Sequence, residues 1–243
     1  HTVTVARGKI AARAGVDIIV HSLQDGPVDA EVIDLMKASG TAYAPTLAVY
    51  EPVKPGQSPP DDLNNPRYVQ SKAKFQYALQ NVKALHDAGV LVALGTDAGM
   101  PGTPHGVATL HEMELLVQAG LTPVEALMAA TANSARAMGV LDDRGAIEAG
   151  KRADLVLIDG APWTTISDVR KIERVFIDGK QVVGPGVALP EANSQMTMAP
   201  LRAQALIDDF EGEPGRTATG ALRVQDTDGG MDRSVLISLV APE

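Results

Sequence analysis

The sequence predicts an α/β protein whose strands run parallel beneath a cover of helices. Three observations carry this. Strand-like and helix-like patterns alternate as β, α, β, α, β, α up to about residue 130, an order that points to a parallel sheet, either doubly wound or closed into a barrel. Apolar runs at Val16–Val20 and Val90–Leu94 end in or just before polar residues of loops, at His21 and Asp97. Helix start and stop signals fall between those runs, where the alternation needs them.

In chain order, Ala6–Ala14 is Ala-rich and stopped by Gly15, and the strand Val16–Val20 follows. Asp29 is placed to cap a helix whose apolar positions Val32, Leu35 and Met36 share a face, with Gly40 just past its end. Thr41–Leu47 reads as a second strand. A Pro-rich loop from Pro52 to Pro66 leads into a longer helix carrying Phe75, Leu79, Val82 and Leu85 and closed by Gly89, and the strand Val90–Leu94 comes next. His105–Ala119 suits a helix buried along Leu110, Met113, Leu116 and Val117. Thr122-Pro123-Val124-Glu125 is a capping box with proline at the first helical position, which starts a helix over Pro123–Ala130.

After residue 140 the pattern turns to short β runs at Ala153–Asp159 and Arg174–Val183, with Asp178-Gly179 as a two-residue hairpin signal. Residues 184–200 read as a linker and residues 201–243 as a strand-leaning tail.

Composition narrows the function. A hydrophobic share of 45% supplies a core. The apolar runs are far shorter than the roughly 20 residues of a membrane-spanning helix, so no membrane partner is expected. A net charge of −9 without a basic, aromatic-interleaved stripe argues against nucleic acid. With no cysteine in the chain, metal ligands would have to be imidazoles and carboxylates. The sequence opens on His1 rather than methionine and reads as a chain entered in its middle, so compartment stays open.

His21 and Asp97 fall where β/α barrels place their reactive groups, at the C-terminal ends of strands, and His1 joins them if a strand precedes it. Such groups could hold a zinc-like ion, which brings a bound water to a pKa of about 7. They could equally be polar residues that cap strand ends through hydrogen bonds. His105, in the loop after Asp97, could face a substrate or be an ordinary loop histidine. A surface or capping role is expected for His111, a structural one for His86, and core filling for Met113 and Met128.

Three ordered segments then carry a family resemblance. They are Ala11-Ala12-Arg13-Ala14-Gly15-Val16-Asp17-Ile18-Ile19-Val20-His21 with His1 ahead of it, Gly95-Thr96-Asp97-Ala98-Gly99, and Gly145-Ala146-Ile147-Glu148-Ala149-Gly150-Lys151-Arg152-Ala153-Asp154-Leu155. Over residues 1–183 the chain resembles the C-terminal half of a metal-dependent amidohydrolase of the imidazolonepropionase-like and prolidase-like group. The resemblance implies the second half of a (β/α)8 TIM barrel over residues 1–140, then part of a small β-sandwich over 141–183. It implies one or two divalent metals, zinc first among them. His1 would be the ligand ending the fifth strand and His21 that ending the sixth. Asp97, ending the eighth, would be both ligand and general base, while the substrate contact considered for His105 rests on its loop position alone.

The expected chemistry is hydrolysis of an amide C–N bond in a small molecule or dipeptide, with a cyclic-amide hydrolase or deaminase as the alternative within the family and a non-catalytic binding module outside it. The His-x-His pair of the first strand and the ligand of the fourth have no counterpart here. These residues alone are therefore expected neither to fold stably nor to hydrolyse anything. A homo-oligomer is left open. In the tail, Leu206-Ile207-Asp208-Asp209-Phe210-Glu211 and Asp226-Thr227-Asp228-Gly229-Gly230 resemble the start of a jelly-roll domain of the complex I intermediate-associated protein type, with an irregular β extension as the plain reading.

Overall fold

The computed structural model describes residues 1–188. The later part of the proposed linker and the whole strand-leaning tail, with its jelly-roll resemblance, lie outside the described residues.

The chain enters alongside a parallel sheet. The Thr2 amide donates to the Val20 carbonyl at 3.3 Å and the Val3 carbonyl accepts from the Gln24 amide at 3.0 Å. Helix α1 (Val5–Arg13) starts at Thr4, whose hydroxyl accepts the Arg7 amide, one residue ahead of the predicted span. Strand β1 (Ile18–Val20) pairs in parallel with β2 (Ala42–Ala44), matching Ile18 to Ala42 and Val20 to Ala44. Between them, α2 (Ala30–Ser39) has the predicted caps: the Asp29 carboxylate accepts the Val32 amide at 3.0 Å, and Gly40 closes the helix at φ 71°, a conformation that suits a residue without Cβ.

The predicted strand Thr41–Leu47 is cut short. The backbone leaves the sheet at Pro45, Thr46 adopts a left-handed φ of 49°, and Leu47 opens a short helix, α3 (Leu47–Tyr50), that the pattern did not reveal. Helix α4 (Pro66–Asp87) begins on the Asn65 cap with Pro66 in its first turn, and buries Phe75, Ala78, Leu79, Val82 and Leu85 on one face. Each large side chain so buried contributes roughly 1.5–3 kcal/mol.

Residues 90–94 form only an isolated bridge, not the full strand predicted. On one side the Leu91 carbonyl accepts the Tyr43 amide at 2.8 Å, and the Ala93 amide donates to the Tyr43 carbonyl at 2.9 Å. On the other side helical groups take the backbone: the Leu94 amide donates to the Ala129 carbonyl at 3.1 Å, and the Val92 carbonyl accepts from Asn133 Nδ2 at 3.1 Å. A ladder cannot extend along an edge whose groups are already spent on a helix.

That helix is also longer than expected. After α5 (Val107–Gln118), the Thr122/Glu125 capping box starts α6 (Pro123–Met128), which widens into a π-helical turn at Ala129–Asn133 before α7 (Ser134–Ala137). The wide turn frees the Ala129 carbonyl to meet Leu94, and the Ser134 hydroxyl donates to the same oxygen at 2.6 Å. Met113 is buried as predicted, whereas Met128 is exposed because the face of α6 that packs is the one carrying Ala126.

A small antiparallel sheet follows: β3 (Leu155–Ile158), β4 (Ile172–Ile177) and β5 (Lys180–Val183), in the order β3-β4-β5. Asp178 and Gly179 both have positive φ, as the predicted two-residue hairpin requires. A 3₁₀ turn at Ile166–Arg170, absent from the sequence reading, precedes β4.

Candidate active site

The parallel segments deliver their first loop residues to one end of the sheet, and three of those residues are strained. His21 (φ 76°), Thr46 (φ 49°) and Asp97 (φ 51°) follow β1, β2 and the 90–94 segment, and all are non-glycine residues in the left-handed region. Such conformations cost on the order of 1–3 kcal/mol each and gather at functional sites.

The structure brings His1 and His21 together. His1 Nδ1 lies 2.7 Å from His21 Nε2, with ring centroids 4.7 Å apart, and His21 Nδ1 lies 3.1 Å from the Thr46 hydroxyl. The edge of Tyr50 meets the His21 ring at 5.9 Å between centroids. Asp97 is exposed at the end of the third parallel segment, in a tight turn where the Gly99 amide donates to the Thr103 carbonyl at 2.9 Å. It does not join the histidines in a cluster: among the described residues no three His, Cys, Asp or Glu side chains stand close enough to hold a metal ion. His105 is exposed and lies over Gly99, where an added Cβ would sit 3.4 Å from its Nε2.

The donors present fit a divalent ion in kind. Two imidazole nitrogens face each other at hydrogen-bond distance with a proton between them, and an ion held by both at the usual Zn–N length of about 2.0–2.1 Å would take the place of that proton only once the rings part to about 3.3 Å. The Thr46 hydroxyl on the far nitrogen of His21 is the sort of partner that orients a metal-ligating imidazole.

Two buried polar side chains from the outer helices hold the loops that carry these residues. Glu112, on α5, is fully buried, and its carboxylate accepts the Leu47 and Ala48 amides at 2.7 Å each. It thereby fixes the start of α3 directly after Thr46. Burial pushes this carboxyl up to about 8, against the pull of the two amides. Lys54 Nζ fastens the same segment by donating to the Ala48 and Val49 carbonyls at 2.6 and 2.9 Å.

Asn81, on α4, serves the loop after His21. Its Nδ2 donates to the Leu23 and Gly26 carbonyls, and its Oδ1 accepts the Val28 amide, all at 2.8 Å. The Leu23 amide donates to the Tyr43 hydroxyl at 2.9 Å, and the Ser22 hydroxyl to the Pro45 carbonyl at 2.6 Å. Sequence reasoning missed both Glu112 and Asn81. A signal existed, since each occupies an apolar-face position of its helix, Glu112 with Ala108, Leu115 and Leu116, and Asn81 with Ala78, Val82 and Leu85.

His111 is more than a surface residue. Its Nε2 contacts Glu51 at 2.7 Å and its Nδ1 contacts Glu114 at 3.1 Å, while Arg170 grips Glu114 through two bonds of 2.7 Å. The hydrogen bond to Glu51 raises the imidazole pKa despite partial burial, and Arg170 holds the Glu114 carboxyl low. His86, in the last turn of α4, is partly buried and faces Asp87 and Glu125 at 3.4 and 3.6 Å.

The amidohydrolase family model matches residues 7–182. The chain belongs to the amidohydrolase family. Similar members include the imidazolonepropionase of Shouchella clausii, 39% identical over 119 residues, which are 47% of this chain and 26% of that protein. The ochratoxinase of Aspergillus niger is 31% identical over 164 residues, covering 65% of this chain and 33% of the relative. Among solved structures, a Xaa-Pro dipeptidase with bound methionine superimposes with a TM-score of 0.63 at 29% identity, over 76% of this chain and 44% of that one. The A. niger ochratoxinase structure gives 0.61 at 29% identity, over 75% and 41%. The fold is thus of the TIM-barrel α/β type that these amidohydrolases share. The chain spans a quarter to a third of the curated relatives and less than half of the solved chains.

Proposed function

We propose that the protein carrying this chain is a metal-dependent hydrolase of C–N bonds in a small molecule or dipeptide. The observation that carries the reading is the convergence of His1 and His21 across 2.7 Å at one sheet end, on a backbone strained at His21, Thr46 and Asp97. Left-handed backbone at three non-glycine loop residues after neighbouring parallel segments supports the reading, because such conformations gather at functional sites.

In this reading residues 1–140 are the second half of a (β/α)8 barrel, 141–183 part of a β-sandwich, 184–200 a linker and 201–243 a further domain. The bare strand β3 favours the sandwich: Leu155, Val156 and Leu157 are 37%, 54% and 46% exposed in succession, so apolar side chains are open on both its faces. His1, His21 and Asp97 would hold a divalent ion, zinc first among the candidates, together with ligands from outside the described residues. The ion would supply Lewis acidity and a water of lowered pKa.

The chain's own residues do the rest. Thr46 sets the orientation of His21, and Asp97 takes a proton from the water that adds to the carbonyl carbon. The proton passes to the nitrogen as the C–N bond breaks. His105, exposed over Gly99 in the loop after Asp97, contacts the bound substrate in this reading. The 39% identity to an imidazolonepropionase favours a cyclic amide as the second reading.

Elemental analysis and a screen of dipeptides and cyclic amides test the proposal on the full-length protein and its His21→Ala and Asp97→Asn variants. Stoichiometric metal that falls with hydrolysis in the variants supports it. A well-folded, metal-free and inactive parent refutes it and favours a binding module.

A further inference from the structure

A polar cleft of about 370 Å³ has Tyr50, a ring neighbour of His21, in its wall. Its walls include Gln24 from the loop after β1, Tyr50 from α3, and Arg67, Gln70, Ser71 and Lys74 from α4. Those four α4 positions follow the spacing of a single helical face, so one stripe of the helix lines the cleft. Tyr50 connects the cleft to the site, since the same ring stands nearly perpendicular to that of His21, 5.9 Å between centroids.

The charge of this wall runs against the rest of the molecule. The chain carries a net charge of −9, yet the segment from Leu63 to His86 contains Arg67, Lys72, Lys74 and Lys83 and no acidic residue. First turns of helices favour carboxylates because the helix dipole is positive there, but the first turn of α4 holds Arg67 and no acid. Among the described residues neither Arg67 nor Lys74 has an ion-pair partner. The acid that does border the cleft, Glu51, is already engaged by His111 at 2.7 Å. Two cations and three neutral hydrogen-bonding side chains, Gln24, Gln70 and Ser71, therefore line the cleft, with the single carboxylate of Glu51 shared with His111.

The geometry points to this cleft as the subsite for a free carboxylate on the substrate, with Arg67 and Lys74 as the specificity-determining residues. The inference rests on the hydrolase reading above and deepens it: the substrate class becomes amides bearing a carboxylate, such as dipeptides with a free C-terminus or N-acyl amino acids. Arg67 offers a planar fork matched to a carboxylate, and Lys74, two turns along the same face, adds a point charge. Tyr50 sits between the anchored anion and the histidines, so the amide to be cut would lie over His21.

The test compares one dipeptide with its C-terminal amide on the full-length protein, its Arg67→Gln, Lys74→Gln double variant, and Lys83→Gln, which removes a cation of the same helix outside the cleft. The parent is expected to prefer the free acid at least tenfold in kcat/KM. The double variant should lose that preference through a higher KM while handling the amide within twofold of the parent, and Lys83→Gln should behave as the parent. A preference that survives within twofold in the double variant overturns the subsite. If neither compound is hydrolysed, calorimetric binding of the same dipeptide decides: binding weakened tenfold by the double variant alone keeps the subsite and discards hydrolysis, whereas unchanged or absent binding discards the subsite.

Discussion

His1 Nδ1 and His21 Nε2 face each other at 2.7 Å, two imidazoles at the end of β1, where the Thr2 amide donates to the Val20 carbonyl. Backbone bonds from Thr2 to Val20 and from Gln24 to Val3 fasten the segment that carries His1 to β1 and to the loop after it.

The partner of His21 on its other side should matter almost as much as His21 itself. Replacing Thr46 by Val removes the hydroxyl 3.1 Å from His21 Nδ1 while keeping a β-branched shape. Metal affinity of the full-length protein is expected to fall by about 10–100-fold, the usual effect of losing an orienting partner, with thermal stability little changed. A titration with a competing chelator reads this, and unaltered affinity would remove Thr46 from the site.

Glu112→Ala should destabilise the protein strongly. It leaves the amides of Leu47 and Ala48 without an acceptor in the core, and each such orphan costs about 1–3 kcal/mol. A loss of roughly 2–5 kcal/mol in denaturant unfolding is expected. Glu112→Gln keeps one acceptor oxygen and should lose less than half as much.

Asn81→Leu removes three hydrogen bonds to the loop after β1 while keeping the branching of the side chain, at the expense of two bulkier methyl groups. The leucine suits its apolar neighbours, so the cost falls on the loop, where the Val28 amide loses its partner. We expect about 2–3 kcal/mol of lost stability, from one unpaired amide and the weakened loop contacts. Faster amide exchange at residues 22–28 than in α4 would localise the effect.

The His111 network makes stability depend on pH in a stated direction. Glu51 and Glu114 raise the imidazole pKa above its ordinary value of 6.5, with Arg170 closing the network from the 3₁₀ turn and buried Glu112 beside it on α5. The folded state therefore binds the proton more tightly than the unfolded chain. The stabilisation is complete below about pH 6.5 and is lost as pH rises through the folded-state value. His111→Gln should be less stable than the parent at pH 6 and close to it at pH 9, as urea midpoints would show. A constant difference across that range would contradict the ion-pair role.

Much of this protein was legible in one dimension. Helix α2 was bounded by Asp29 and Gly40, α6 was started by the Thr122/Glu125 box, and the β4–β5 hairpin was marked by Asp178-Gly179, because caps and turns are decided by local backbone chemistry within a few residues. Apolar runs ending at His21 and near Asp97 were legible for the same reason, and so was the family. What misled the pattern was competition for backbone groups. Residues 90–94 look like a strand, but Asn133 and Ser134, about 40 residues away, take the edge that a ladder would need.

The sequence by itself determined the α/β alternation, the capped helices and which residues end the strands, since these follow from period, capping and glycine placement over short range. Only the tertiary structure decided that His1 meets His21 while Asp97 stands apart from them, that Glu112 and Asn81 hold the site's loops, and that Arg67 and Lys74 face a cleft beside Tyr50. Those outcomes depend on which backbone groups remain unpaired after the sheet and helices pack, and that balance is set by contacts between residues 20 to 65 positions apart.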